Sequence, residues 1–134
     1  MAKISGIPTA VTIDDGGGSA QVITNDVTSL SFNSPQTLED VTGLNSAAIE
    51  RLKTLSDFTG ELTGWFNTAN NMSHAVFKTI WSSTIASRTL VIGLPGATLT
   101  AEVLLSDYSL SVDNGKLVWK VPFSNALGTV PTWA

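Results

Sequence analysis

A chain of 134 residues with an apolar fraction of 43% has material for one modest core, so a single domain spanning residues 1–134 is expected. Charged residues make up only 13%, against roughly 25% in ordinary soluble proteins, and the formal net charge is −4. The seven cations, Lys3, Arg51, Lys53, Lys78, Arg88, Lys116 and Lys120, are scattered, which argues against specific nucleic-acid binding. There is no cysteine, which excludes disulfides, thiolate chemistry and cysteine–zinc sites.

Read in chain order, residues 7–13 predict a first strand, with Val11 and Ile13 on one face. Asp14-Asp15-Gly16-Gly17-Gly18-Ser19 predicts a flexible turn. Residues 20–24 and 26–33 predict two more strands. In the second of these Val27, Ser29 and Ser31 alternate against Thr28, Leu30 and Phe32, and Pro35 ends the ladder. Residues 34–44 read as a long polar loop. A helix capped by Asn45 or Ser46 is expected next, because Ala48, Ile49, Leu52 and Leu55 recur at three- and four-residue spacing; Glu50, Arg51 and Lys53 would be its wet face. Asp57 and Gly60 would end it.

Residues 61–67 predict a strand with Leu62 and Phe66 opposite Glu61, Thr63 and Trp65. A second helix is expected from Asn70 or Asn71 to about Ser83, with Val76, Phe77, Ile80 and Trp81 as its core stripe. Residues 88–94 form the next predicted strand, and Pro95-Gly96 a turn. Residues 99–112 read as one long strand, bulged near Asp107. Asp113-Asn114-Gly115 predicts a hairpin turn, because Asn-Gly supplies positive φ. Residues 116–124 return antiparallel, with Leu117, Trp119, Val121 and Phe123 on one face. The expected fold is mainly β: two packed antiparallel sheets, a sandwich or half-closed barrel, with one flanking α-helix and a short second helix.

No pattern of catalytic groups is present. His74 is the single histidine and reads as a polar helix residue near an N-terminus. The Asp-Asp-Gly-Gly-Gly run lacks the spaced oxygens of a calcium loop and the lysine of a phosphate loop. Glu61 and Glu102 are the two strand acids that resemble a hydrolase pair, and both read as residues of the polar face. Of the tryptophans, Trp81 and Trp119 are in phase with core residues, whereas Trp65 and Trp133 are expected at the surface. No catalytic residue, metal or cofactor is expected.

The segments VTSLSFNSPQTLEDVTGLNSAAIERL, GELTGWFN, SHAVFKT, RTLVIGLPGATLTAEVLLSDYSL and LVWKVPFSNALGTVPTW occur in this order. Together they resemble the major tail tube proteins of siphophages, especially those of actinobacterial hosts. The resemblance runs from about Ile23 to Trp133. It implies two packed sheets with a flanking helix, hexameric rings stacked into a hollow tube, and DNA passing through the lumen without specific binding. It also implies the tape-measure protein, the tail terminator and the tail tip proteins as partners. The long loop, with Gln36, Thr37, Leu38, Glu39 and Asp40 at its centre, would reach another subunit, and Glu61 and Glu102 would face the lumen.

The expected function is therefore structural, a virion tail subunit with no enzyme activity. The first residues, MAKISGIPTAVTIDD, lack the continuous apolar region of a signal peptide, and no stretch approaches the roughly 20 apolar residues of a membrane helix. Synthesis in the host cytoplasm and no membrane partner are expected. The alternatives are a small carbohydrate-binding β-sandwich, acting in decoration or adsorption, and a tube subunit of an injection system.

Overall fold

The structure is a computed structural model that describes residues 10–45, 47–81, 87–126 and 130–134. The first strands are β1 (Ala10–Asp14), β2 (Ala20–Val22), β3 (Val27–Asn33), β4 (Gln36–Asp40), β5 (Arg51–Ser56) and β6 (Thr59–Trp65). After them come the helix α1 (Ser73–Phe77), β7 (Arg88–Leu94), β8 (Ala97–Leu105), β9 (Ser109–Asp113), β10 (Lys116–Asn125) and β11 (Thr132–Trp133). The protein is mainly β, as expected. One antiparallel sheet runs β2-β1-β7-β8-β10-β6-β3, with β9 added to β10 and β11 to β8, and β4 with β5 form a separate pair.

The large sheet closes most of the way round on itself. Its buried residues lie on one face: Val11 and Ile13 of β1, Leu90 and Ile92 of β7, Leu99 and Val103 of β8. The same face continues through Trp119, Val121 and Phe123 of β10 to Leu62 of β6, and all of these form one core cluster. Chain length enforces the curl. The outermost strands β2 and β3 are joined through residues 23–26, which reach at most about 18 Å. Seven strands laid flat would hold those edges about 29 Å apart. Consistently, Phe32 of β3 meets Trp133 of β11 with ring centroids 6.2 Å apart. The result is a half-closed barrel whose concave face is the core.

Two glycines allow this curvature. A Cβ on Gly64 would stand 2.6 Å from Cζ2 of Trp119, and one on Gly60 would meet the Phe123 ring at 2.5 Å. Strand β6 therefore presses its backbone against aromatic rings where a side chain would hold it off. Trp119 is fully buried, its Nε1 donates to the Trp65 carbonyl at 2.7 Å, and it packs on Phe77 at 5.0 Å.

Helix α1 lies over the open part of the barrel and is fixed by two buried charges. Asp26 accepts the Ser73 backbone N–H and the Asn67 amide, each at 3.0 Å, and so caps the helix from across the fold. Arg88 donates to the carbonyls of Val76 at 2.9 Å and Asp14 at 3.3 Å, and to Oγ1 of Thr79 at 3.1 Å. Burial lowers the guanidinium pKa, and the nearby Asp15 and Asp14 oppose the shift.

Several expectations need correction. Residues 34–44 are not a loop throughout, because they contain β4. The helix expected from Asn45 to Asp57 is instead the second half of a hairpin: a ten-residue connection, 41–50, then β5. Leu52 and Leu55, read as the buried stripe, are exposed, as are Ala48 and Ile49. Apolar spacing specifies a helix only where the chain's own core covers one face, and here it covers neither. Ser46 lies outside the described residues, as do residues 7–9 of the expected first strand and Ser82 and Ser83 of the expected second helix.

Trp81 is also misplaced by the sequence pattern: it is 97% exposed. The α-helix stops at Phe77 and residues Lys78–Trp81 wind as a 3₁₀ turn. Four residues at 3₁₀ rather than α spacing turn the last side chain about 80° further. Val76 and Phe77 stay in the core while Trp81 swings out. In β3 a register shift between Val27 and Ser29 brings Val27 round to the core side with Leu30 and Phe32. The long strand expected over 99–112 breaks at 106–108 into β8 and β9. The turns at Asp113-Asn114-Gly115 and Pro95-Gly96 form as expected, with positive φ at Asn114, Gly115 and Gly96.

Candidate assembly surfaces

The strands β3, β6, β10 and β9 form a four-stranded antiparallel unit on one side of the barrel. Among the described residues no strand pairs with the outer edge of β3 or of β9. Antiparallel order makes these two edge strands run in opposite directions. A β9 edge on one copy can therefore add to a β3 edge on the next and keep the alternation unbroken. Bare edges of this length template pairing with another chain.

The outward face of this unit is hydroxyl-rich. Ser29 and Ser31 oppose Thr63 and Glu61, and Ser109 and Ser111 oppose Lys120 and Val118. Glu61 belongs to this face, and its Oε1 is 3.5 Å from Nζ of Lys120. Glu102 is likewise turned away from the core, but on β8, opposite Thr89 of β7. Its carboxylate accepts hydrogen bonds from Oγ of Ser87 at 2.9 Å and from Oγ1 of Thr89. The structure does not bring the two glutamates together as a catalytic pair: β10 separates their strands. Trp65 and Trp133 are partly exposed, as expected.

The second surface is the β4–β5 arm, which contains Gln36, Thr37, Leu38, Glu39 and Asp40. Every residue of both strands is exposed. Its backbone pairing is held at the far end by Asp40, whose Oδ1 accepts the Thr42 N–H at 2.9 Å and the Thr42 hydroxyl at 2.6 Å. The Thr42 hydroxyl accepts the Glu50 N–H at 2.8 Å. The Thr42 hydroxyl, then its N–H, hold the Asp40 carboxyl below its ordinary value. The arm offers Leu38, Val41, Leu44, Ile49, Leu52 and Leu55 to solvent. An isolated two-stranded hairpin is marginal in water, and one that exposes six large aliphatic side chains calls for a covering surface.

A third feature is a groove of about 510 Å³ between α1 and the β8–β9 connection, lined by His74, Trp81, Asp107 and Tyr108 among others. His74 occupies the first turn of α1, as expected. Its Nδ1 lies 3.0 Å from the Tyr108 hydroxyl, and its ring packs on Phe66 at 4.6 Å. Burial pushes the Tyr108 hydroxyl up to about 12. Among the described residues no group of three or more His, Asp or Glu side chains is placed to hold a metal ion, and no helix is long and apolar enough to cross a membrane.

No family model and no curated protein matches the chain. Solved structures do share its fold. A chain in the tail of an empty gene transfer agent particle, computed with helical refinement and C6 symmetry, superposes with a TM-score of 0.73 at 14% identity over 99% of both chains. A chain in the virion of a native gene transfer agent particle gives 0.74 at 12% identity, again over 99% of both. A chain in the six-fold symmetrised baseplate of the anti-feeding prophage gives 0.62 at 12%, covering 100% of this chain and 96% of that one. The protein thus has a fold used by chains of tail and baseplate assemblies.

Proposed function

We propose that the chain is a tail tube subunit, a structural virion protein that acts as one domain over residues 1–134. Six copies join edge to edge, β9 of one against β3 of the next. The four-stranded units then close into a continuous barrel, and rings stack into a hollow tube through which DNA passes. The observation that carries this proposal is the pair of oppositely directed edges bounding β3-β6-β10-β9, neither of which has a partner strand among the described residues. Likeness over 99% of the chain to a tail component refined with C6 symmetry supports it.

In this assembly the outward face of the four-stranded unit, with Glu61, lines the channel. Glu102 stands on the other half of the barrel, where Ser87 and Thr89 hold it. The arm, with Gln36, Thr37, Leu38, Glu39 and Asp40, lies on another subunit and so covers its aliphatic side chains. The tape-measure protein fills the growing tube, and the tail terminator and tip proteins close its ends. The subunit performs no reaction, is made in the host cytoplasm and resides in the virion tail. With DNA as the cargo of the lumen, the tail is that of a siphophage rather than of an injection device. Electron microscopy of concentrated protein, with and without tip proteins, tests the assembly: hollow rods or rings are expected, and persistent monomers in both conditions refute it.

The exposure of Trp81 beside the groove favours one second reading, a sugar-stacking platform. It expects a monomer whose tryptophan fluorescence responds to glycans, a response that Trp81→Ala abolishes.

A further inference from the structure

Resting on the tube assembly proposed above, we infer that the channel face is built to cancel each of its lysines locally, so that DNA slides past without being held. Among the described residues, the outward face of β3, β6, β9 and β10 carries four charged side chains: Glu61, Asp113, Lys116 and Lys120. Two carboxylates stand against two ammonium groups, one pair in contact and the other at facing positions of a hairpin. Nζ of Lys120 is 3.5 Å from Oε1 of Glu61. Lys116 faces Asp113 directly across the hairpin, and its Nζ lies over the Trp65 ring, 5.1 Å from the centroid. The remaining polar groups of the face are chiefly the hydroxyls of serine and threonine, which are neutral.

The physical need is specific. Duplex DNA carries one negative charge per roughly 1.7 Å, and each cation that neutralises a phosphate gains free energy by releasing a counterion. A lone lysine on this face would be repeated at every subunit of every ring and would act as a brake. A wall of carboxylates alone would oppose entry, because a confined channel focuses a field of one sign. A cation and an anion 3.5 Å apart present only a dipole to a phosphate outside the pair. Both side chains are substantially exposed, so the pair adds little to stability. Its placement matters for what the surface looks like from the channel.

The test removes one carboxylate without adding a cation. Tubes of wild type and Glu61→Gln are assembled with a short fluorescent duplex, sedimented, washed at low salt and treated with nuclease. Protected DNA per mass of tube is then measured. Wild-type tubes are expected to retain little. Glu61→Gln is expected to raise protected DNA by about tenfold or more at low salt, and the gain should vanish near physiological ionic strength. The double variant Glu61→Gln/Lys120→Gln should return to the wild-type level, and Asp107→Asn, the same charge change off this face, should leave it unchanged.

Asp113→Asn makes an equivalent change on the exposed hairpin and serves if Glu61→Gln hinders assembly. Tubes of normal appearance in which neither carboxylate variant gains DNA overturn the inference and leave the tube intact. Retention that rises equally in Asp107→Asn also overturns it. Absence of wild-type tubes by electron microscopy overturns the assembly itself, and the inference with it.

Discussion

The barrel and the arm are built from the same kinds of residue and meet opposite fates. Leu62, Leu90 and Ile92 are buried in a cluster that their own chain completes. Leu52 and Leu55 of β5, and Ile49 just before it, stand in water on a hairpin whose strands pair only with each other among the described residues. Leucine and isoleucine carry the same transfer free energy in both places, on the order of 2 kcal/mol per side chain when fully buried. In the barrel that energy is realised on folding. In the arm it remains unspent until another surface arrives. The molecule thus divides into a part that completes its own core and an arm whose apolar side chains it leaves uncovered.

The barrel side of the contrast is sharpened by its largest buried ring. Trp119 is sealed, packed on Phe77 and hydrogen-bonded to the Trp65 carbonyl. Trp119→Ala should destabilise the fold by about 3–5 kcal/mol in denaturant titrations. A loss below about 1 kcal/mol would mean that the core is not closed as described. Trp81→Ala is the internal control. With its ring 97% exposed, it should change stability by less than about 0.5 kcal/mol, although both tryptophans looked alike in sequence.

The arm predicts the reverse pattern. Leu52→Thr/Leu55→Thr places good strand formers on β5 and exchanges apolar surface for hydroxyls. Monomer stability should stay within about 0.5 kcal/mol of wild type, while tubes should be lost on electron-microscope grids. Deletion of residues 36–39 should act likewise, leaving the circular dichroism of the barrel in place. A large fall in the melting temperature of the double variant would mean that the arm folds back on its own barrel. Normal tubes from either variant would remove the arm from assembly.

The contrast also explains what was legible in the sequence. The strands 88–94 and 116–124 could be read, the second with Trp119, Val121 and Phe123 of its core face although Leu117 is exposed, because the barrel buries one side of each and so imposes alternation. The Asp-Asn-Gly turn could be read because its backbone demands positive φ. The arm could not be read, because a segment with no intramolecular core has no buried face to set its period. Its accidental three- and four-residue spacing then mimicked a helix. Trp81 was lost to the 3₁₀ tightening at Lys78, which no residue type announces. The long-range cap by Asp26 and the Arg88 anchor were invisible for another reason: their partners lie far away in the chain. Of the candidate surfaces, the arm was read as a long polar loop, and its strand conformation was not foreseen. Glu61 was placed on the polar face, and the β6–β10 register brings it to Lys120.

The smallest expected effect concerns the barrel's own weak point, the groove under α1. The chain has one tyrosine, so absorbance of tyrosinate near 295 nm reports Tyr108 alone. Burial disfavours its charged form and pushes the hydroxyl up to about 12, against an ordinary value of 10.0. The sign follows directly. The unfolded chain ionises at lower pH than the folded one, so the folded state binds the proton more tightly. The stability this contributes is fully present below pH 10.0 and is lost as pH rises through about 12. The spectroscopic midpoint should therefore lie well above 10, and stability should fall within that window. Tyr108→Phe removes the titrating group, and with it this share of the alkaline loss, while keeping the ring against Phe77. A midpoint near 10 in the intact protein would mean that the hydroxyl is open to water. That would place the His74–Tyr108 side of the groove with the arm, among the surfaces the chain leaves for a partner to close.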